Sequence, residues 1–140
     1  MQGVNAMKKL ISIFIALLLL FTVAGCEKKS DVIEIGIIQI IEHAALDAAR
    51  EGFIDALKDN GYEEGKNIKI DYQNAQGDTN NLSTISDRFV SNKVDMVLAI
   101  ATPSAQAIAG KTTTIPILAT AVTDFVTAKL VESDEKPGGN

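Results

Sequence analysis

Thr102, Pro103 and Ser104 stand where an apolar run ends and a helical pattern begins, and that placement gives them a chemistry. The first amides of a helix have no partner within it and lie at its positive end, so they receive a carboxylate or a phosphate. Thr102 also suits an N-cap and Pro103 a first helical position, so the same residues serve equally as an ordinary helix start. Asp124 closes a second apolar run, where its carboxylate either pairs with an ammonium group or caps a helix beginning at Phe125. Asn74, Gln76 and Asp78 surround Gly77 and offer amides and a carboxylate to a small polar ligand, or build a plain turn. Glu42 and His43 are adjacent, which invites an acid-base reading, but no third group in the sequence supports it.

The chemistry on offer is therefore recognition and not bond making. The chain has no G-x-S-x-G elbow, no G-x-G-x-x-G, no Walker-type lysine loop and no cysteine near a histidine. One histidine and one cysteine provide neither a zinc cluster nor a disulfide framework. No enzyme, cofactor or metal is expected.

The elements that must position these residues alternate regularly. Residues 32–39 (VIEIGIIQ) are rich in β-branched side chains, and 45–60 carry Leu46, Ala49, Phe53 and Leu57 at the spacing of three and four that an amphipathic helix needs. Gly61 ends that helix as its C-cap. A second strand over 68–74 precedes a second helix over 80–91, with Leu82, Ile85 and Phe89 on one face and Asp78 or Thr79 as cap. Residues 96–101 are nearly all apolar, as a strand covered on both faces must be. A short third helix follows from Thr102, then a fourth strand over 115–119 and a fourth helix over 125–131.

This alternation predicts an α/β fold, a doubly wound parallel sheet with strand order 2-1-3-4. In such sheets ligands sit beyond the carboxyl ends of the strands, near the reversal of strand order. That rule selects four loops, at 39–44 (QIIEHA), 74–78 (NAQGD), 101–104 (ATPS) and 121–124 (AVTD), which contain all the residues above. A flavodoxin-like domain would need a phosphate loop after the first strand, and a receiver domain an acidic pair there and an aspartate ending the third strand, where this chain has Gln39 and Ala101.

Ahead of the domain, Lys8 and Lys9 precede an apolar run from 10 to 21, and Val23-Ala24-Gly25-Cys26 closes it. The run is shorter than the roughly twenty residues a bilayer core demands, so residues 1–25 read as an export signal peptide, complete even from Met7. Small residues directly before a cysteine resemble the lipobox of bacterial lipoproteins, in which the thiol is acylated and the cysteine becomes the new N-terminus. Cys26 is thus the expected lipid attachment and residues 26–31 a polar tether, which places residues 32–140 on the outer face of the cell membrane or on its periplasmic side. Cleavage would leave 11 basic against 18 acidic residues, a net charge near −7 that disfavours nucleic acid and anionic lipid.

The runs at 35–57 (IGIIQIIEHAALDAAREGFIDAL), 61–78 (GYEEGKNIKIDYQNAQGD), 99–107 (AIATPSAQA) and 115–124 (IPILATAVTD) resemble the first lobe of the substrate-binding lipoproteins of ABC importers, in the group associated with tryptophan and other aromatic amino acids. The resemblance covers residues 32–140. It implies a type I periplasmic-binding-protein fold, in which two lobes close on one solute and a membrane permease reads the closed form. It also implies an amino acid as the solute, with contacts from this lobe at Gln39, Glu42, His43, Ala44, Gln76, Thr102, Ser104, Thr123 and Asp124. Phe125 departs from the pattern, since relatives usually carry proline there.

By the same resemblance the second lobe is missing beyond Asn140, so this polypeptide is expected to be a fragment that binds weakly by itself and leaves an apolar sheet edge exposed. The alternative to a solute-binding protein is a membrane-tethered single-lobe module that binds a protein partner.

Overall fold

A computed structural model of the chain describes residues 32–139. The expected signal peptide, the expected tether and the expected lipid attachment at Cys26 lie outside the described residues. Four strands, β1 (Ile33–Gln39), β2 (Ile68–Asn74), β3 (Met96–Ile100) and β4 (Ile117–Thr120), alternate with three helices, α1 (Ala44–Asp59), α2 (Thr79–Asn92) and α3 (Thr102–Ala109). The strands form one sheet in the order β2-β1-β3-β4, and every pairing is parallel. This is the expected order, and it puts the reversal between β1 and β3, where Gln39 lies opposite Ile100.

The two faces of the sheet carry separate cores. Ile35 and Ile37 of β1, with Leu98 and Ile100 of β3, pack under Leu46, Phe53, Ile54 and Leu57 of α1. On the opposite face Ile38, Val97 and Ala99 pack with Leu82, Ile85 and Phe89 of α2 and Ala105 and Ile108 of α3. Successive strand side chains point to opposite faces, so the near-continuous apolar text of β1 and β3 is what two-sided burial requires. Gly36 interrupts the run of buried isoleucines in β1. A methyl group built there would lie 2.7 Å from Cδ2 of Phe89, so the glycine is the socket for the aromatic ring.

Local signals set the helix ends. Asp78 caps α2 by accepting from the Asn80 amide at 2.7 Å, and Lys93 ends it in a left-handed conformation. His43 caps α1, with Nδ1 accepting from the Ala45 amide at 3.3 Å. The C-cap of α1 is Asn60, one position before the expected cap Gly61, which follows at φ +84.

Two further expectations need correction. Thr102 is the first residue of α3 and not its cap; Ala101 holds the cap position and makes no side-chain bond to the helix. The fourth helix does not form. Residues 125–129 make a turn closed by Ala128 N–H to Asp124 O and Leu130 N–H to Phe125 O, and Lys129 at φ +58 leaves the helical region before a second turn can begin. Phe125, Leu130 and Val131 instead line a groove with Ala105 and Ile117. β4 is an edge strand, and its Leu118 is 48 % exposed although its register partner Leu98 is buried.

Candidate functional site

The carboxyl ends of the four strands carry the four selected loops, laced together in two pairs. Ala75 donates its amide to Gln39 O at 2.9 Å and Gly77 donates to Ile40 O at 2.7 Å, which joins the loops after β1 and β2. Ala101 donates to Thr120 O at 2.9 Å and Thr123 donates to Thr102 Oγ1 at 3.3 Å, which joins the loops after β3 and β4.

Backbone conformation marks the same rim. Gln76, Ala101 and Ala121 are non-glycine residues at φ 55, 77 and 55, one in each loop after β2, β3 and β4. Ala101 at φ 77 and ψ 155 occupies a region that is essentially glycine territory and costs on the order of 1–3 kcal/mol. Strain of that size persists where surrounding structure over-determines it. Here the Ala101 amide is held by Thr120 and its carbonyl accepts from Ala105 at 3.1 Å.

That turn delivers Ser104 to the first turn of α3, fully buried, and its Oγ has no hydrogen-bond partner among the described residues. A buried hydroxyl left unpaired costs about 1–3 kcal/mol, so it marks a place where a polar group is wanted. Thr102 is half-buried beside it, its Oγ1 turned to use by Thr123. Thr123 itself is exposed.

The other predicted contacts separate into two kinds. Glu42, His43, Ala44, Gln76 and Asp124 are exposed. Glu42 has no ion-pair or hydrogen-bond partner among the described residues, whereas His43 is engaged as the α1 cap and Asp124 Oδ1 accepts from the Thr127 amide at 2.5 Å. Asp124 therefore caps its own turn, and that bond holds its carboxyl below the ordinary aspartate value. Gln39 is fully buried. Its Nε2 donates to Ile41 O at 2.8 Å and to Asp47 Oδ1 at 2.9 Å, and its Oε1 accepts from Arg50 Nη1 at 3.3 Å.

Asp47 and Arg50 escaped the sequence reading, although an aspartate and an arginine three apart on one helix face are a recognisable pair. The Gln39 amide above all, and then Arg50, hold the Asp47 carboxyl below its ordinary value of 3.8. A depressed folded-state value means that its stabilisation is complete above about pH 4 and is lost as pH falls through the lower folded value. Asp47→Asn should therefore flatten the acid limb of the stability profile below that pH and leave its shape near neutrality unchanged, as a pH series of urea titrations would read.

Residues 34–140 match the family described as ABC transporter substrate binding protein. The chain belongs to that family. A tyrosine-binding protein of Clostridioides difficile (strain R20291) is 58 % identical over 106 residues, covering 76 % of this chain and 31 % of the relative. A substrate-binding protein with adhesive properties from Clostridium difficile, in a ligand-free, open structure, superposes with a TM-score of 0.76 at 54 % identity, over 77 % of this chain and 37 % of that one. An ABC domain from Streptococcus pneumonia in complex with L-Trp gives 0.75 at 39 % identity, over 78 % and 37 %. This member of the family thus spans about a third of the length of the relatives it matches.

Proposed function

We propose that the chain is the first lobe of an exported, lipid-anchored substrate-binding component of an ABC importer, taking an amino acid with an aromatic side chain. The observation that carries this reading is the buried, unpartnered Ser104 Oγ in the first turn of α3, behind the strained Ala101. A carboxylate arriving at this helix start meets the amides of Thr102 and Ser104 and a favourable dipole end, with the Ser104 hydroxyl buried behind them, and these together fit the acid group of an amino acid. Glu42, exposed and unpaired among the described residues, supplies the charge for the ammonium group; Asp124 remains a candidate for it through the oxygen that does not cap the turn. The relatives named for tyrosine and bound to L-Trp support an aromatic solute. Binding, with no covalent step, is what these groups are suited to.

The leader and Cys26 support export and acylation, and a permease in the same membrane is the partner that reads the loaded state. Nuclear magnetic resonance titration of the chain with L-tyrosine tests the site. The amides of Thr102, Ser104 and Ala105 should shift with L-tyrosine and not with tyramine, which lacks the carboxylate, at an affinity of about 1 mM or weaker, roughly 4 kcal/mol. Equal shifts with both compounds would remove the carboxylate role, and micromolar affinity would show that one lobe suffices.

A second reading draws on the relative described as having adhesive properties. A tethered lobe of this kind could hold a protein partner, in which case crosslinking on intact cells would recover that partner with or without solute.

A further inference from the structure

Gln39 was expected to touch the solute, yet both its donors are engaged inside the protein and its side chain is sealed from solvent. Its bonds act on the backbone of the rim. Gln39 Nε2 fixes the carbonyl of Ile41 at the start of the loop, and at its end the His43 carbonyl accepts from the backbone amides of Leu46 at 2.8 Å and of Asp47 at 2.9 Å. Between these two fastened points stands Glu42, exposed. Asp47 Oδ1 is itself held by Arg50 Nη1 at 3.0 Å, and the Arg50 guanidinium lies 4.4 Å from the centre of the Tyr72 ring on β2. Asn74 and Gln76, from the neighbouring rim loop, line the same open groove as Glu42, Arg50 and Tyr72.

We propose that Arg50 is a positioning residue for the candidate solute site, latching the loop at 40–43 through Gln39 and Asp47 and referring it to β2 through Tyr72. The inference takes the solute site proposed above as its object. A guanidinium suits the task because one planar group reaches an amide oxygen, a carboxylate and a ring face at once; a lysine ammonium keeps the carboxylate and loses the geometry.

The test reads amide hydrogen exchange on the full chain with no solute present. The amides of Ala45, Leu46 and Asp47, all bonded to His43, report the loop, and those of Val97 and Ala99 in β3 report the sheet. Arg50→Met should speed exchange at the first group roughly tenfold or more while the second stays within about twofold, the pattern of a local opening. Arg50→Lys should restore part of the protection. Tyr72→Leu, which keeps an apolar side chain and removes the ring face, should repeat the pattern more weakly and serves if Arg50→Met does not fold. Unchanged loop amides, or loop and sheet amides rising together, would overturn the latch. Since no solute enters the measurement, its failure is separable from a failure of the tyrosine titration.

Discussion

Phe89→Ala is expected to lower the stability of the domain by about 4 kcal/mol, the upper part of the range for a fully buried aromatic ring. Phe89 has no exposed surface and meets Ile38, Leu82, Ile85, Val94 and Val97 in one core. The ring seats where Gly36 leaves the sheet bare, so little can relax into the space its loss creates. Domains of this size hold about 5–15 kcal/mol in all, and the variant should sit near the limit of folding. A urea titration reads the effect as a fall in midpoint with the slope unchanged. The same contact predicts its own control. Gly36→Ala alone should cost roughly 1–3 kcal/mol by overpacking against the ring, and in the Phe89→Ala background most of that cost should vanish. Additive losses would show that Gly36 is not the socket.

Ser104→Ala is expected to act in the opposite direction on stability, raising it by about 2 kcal/mol. The hydroxyl is buried without a partner among the described residues, and removing it releases a desolvation penalty of about 1–3 kcal/mol. Alanine adds a few tenths of a kcal/mol as the better helix former. The variant should at the same time lose the tyrosine-induced shifts at the amides of residues 102, 104 and 105. A stabilised protein that no longer responds to L-tyrosine would mean that this position is kept for binding at a cost to folding. Unchanged or lower stability would mean that the hydroxyl has a partner after all, and the argument for the carboxylate site would lose its foundation.

The fold was legible because its signals are local. β2 falls at residues 68–74 as read, the β-branched runs fix β1 and β3 to within a residue or so, and the spacing of Leu46, Phe53 and Leu57 marks the buried face of α1. The fourth helix does not form because Lys129, at φ +58, ends the turn over 125–129, a backbone change that nothing in the stretch 125–131 announces. The rim was legible as a set of loops and not as a set of roles. A glutamine ending a strand reads as a polar group facing a ligand; its burial arises only once α1 docks and brings Asp47 and Arg50 to it. Nothing in an alanine announces φ 77 and ψ 155, since the residue suited to that conformation is glycine.

The pairing of the rim loops carries a mechanical consequence. Each lace stays on its own side, and among the described residues no hydrogen bond runs from residues 40–44 or 74–78 to residues 101–104 or 121–124. The mouth therefore has a parting line above the boundary of β1 and β3, with Glu42 on one bank and Ser104 on the other. Across that line the banks are registered by the sheet below and by the packing of α2 with α3 in one core. An amino acid gripped by its two charged ends, as proposed, would be a tie-bar between rim loops that share no hydrogen bond, and the span of the cargo would set its gauge.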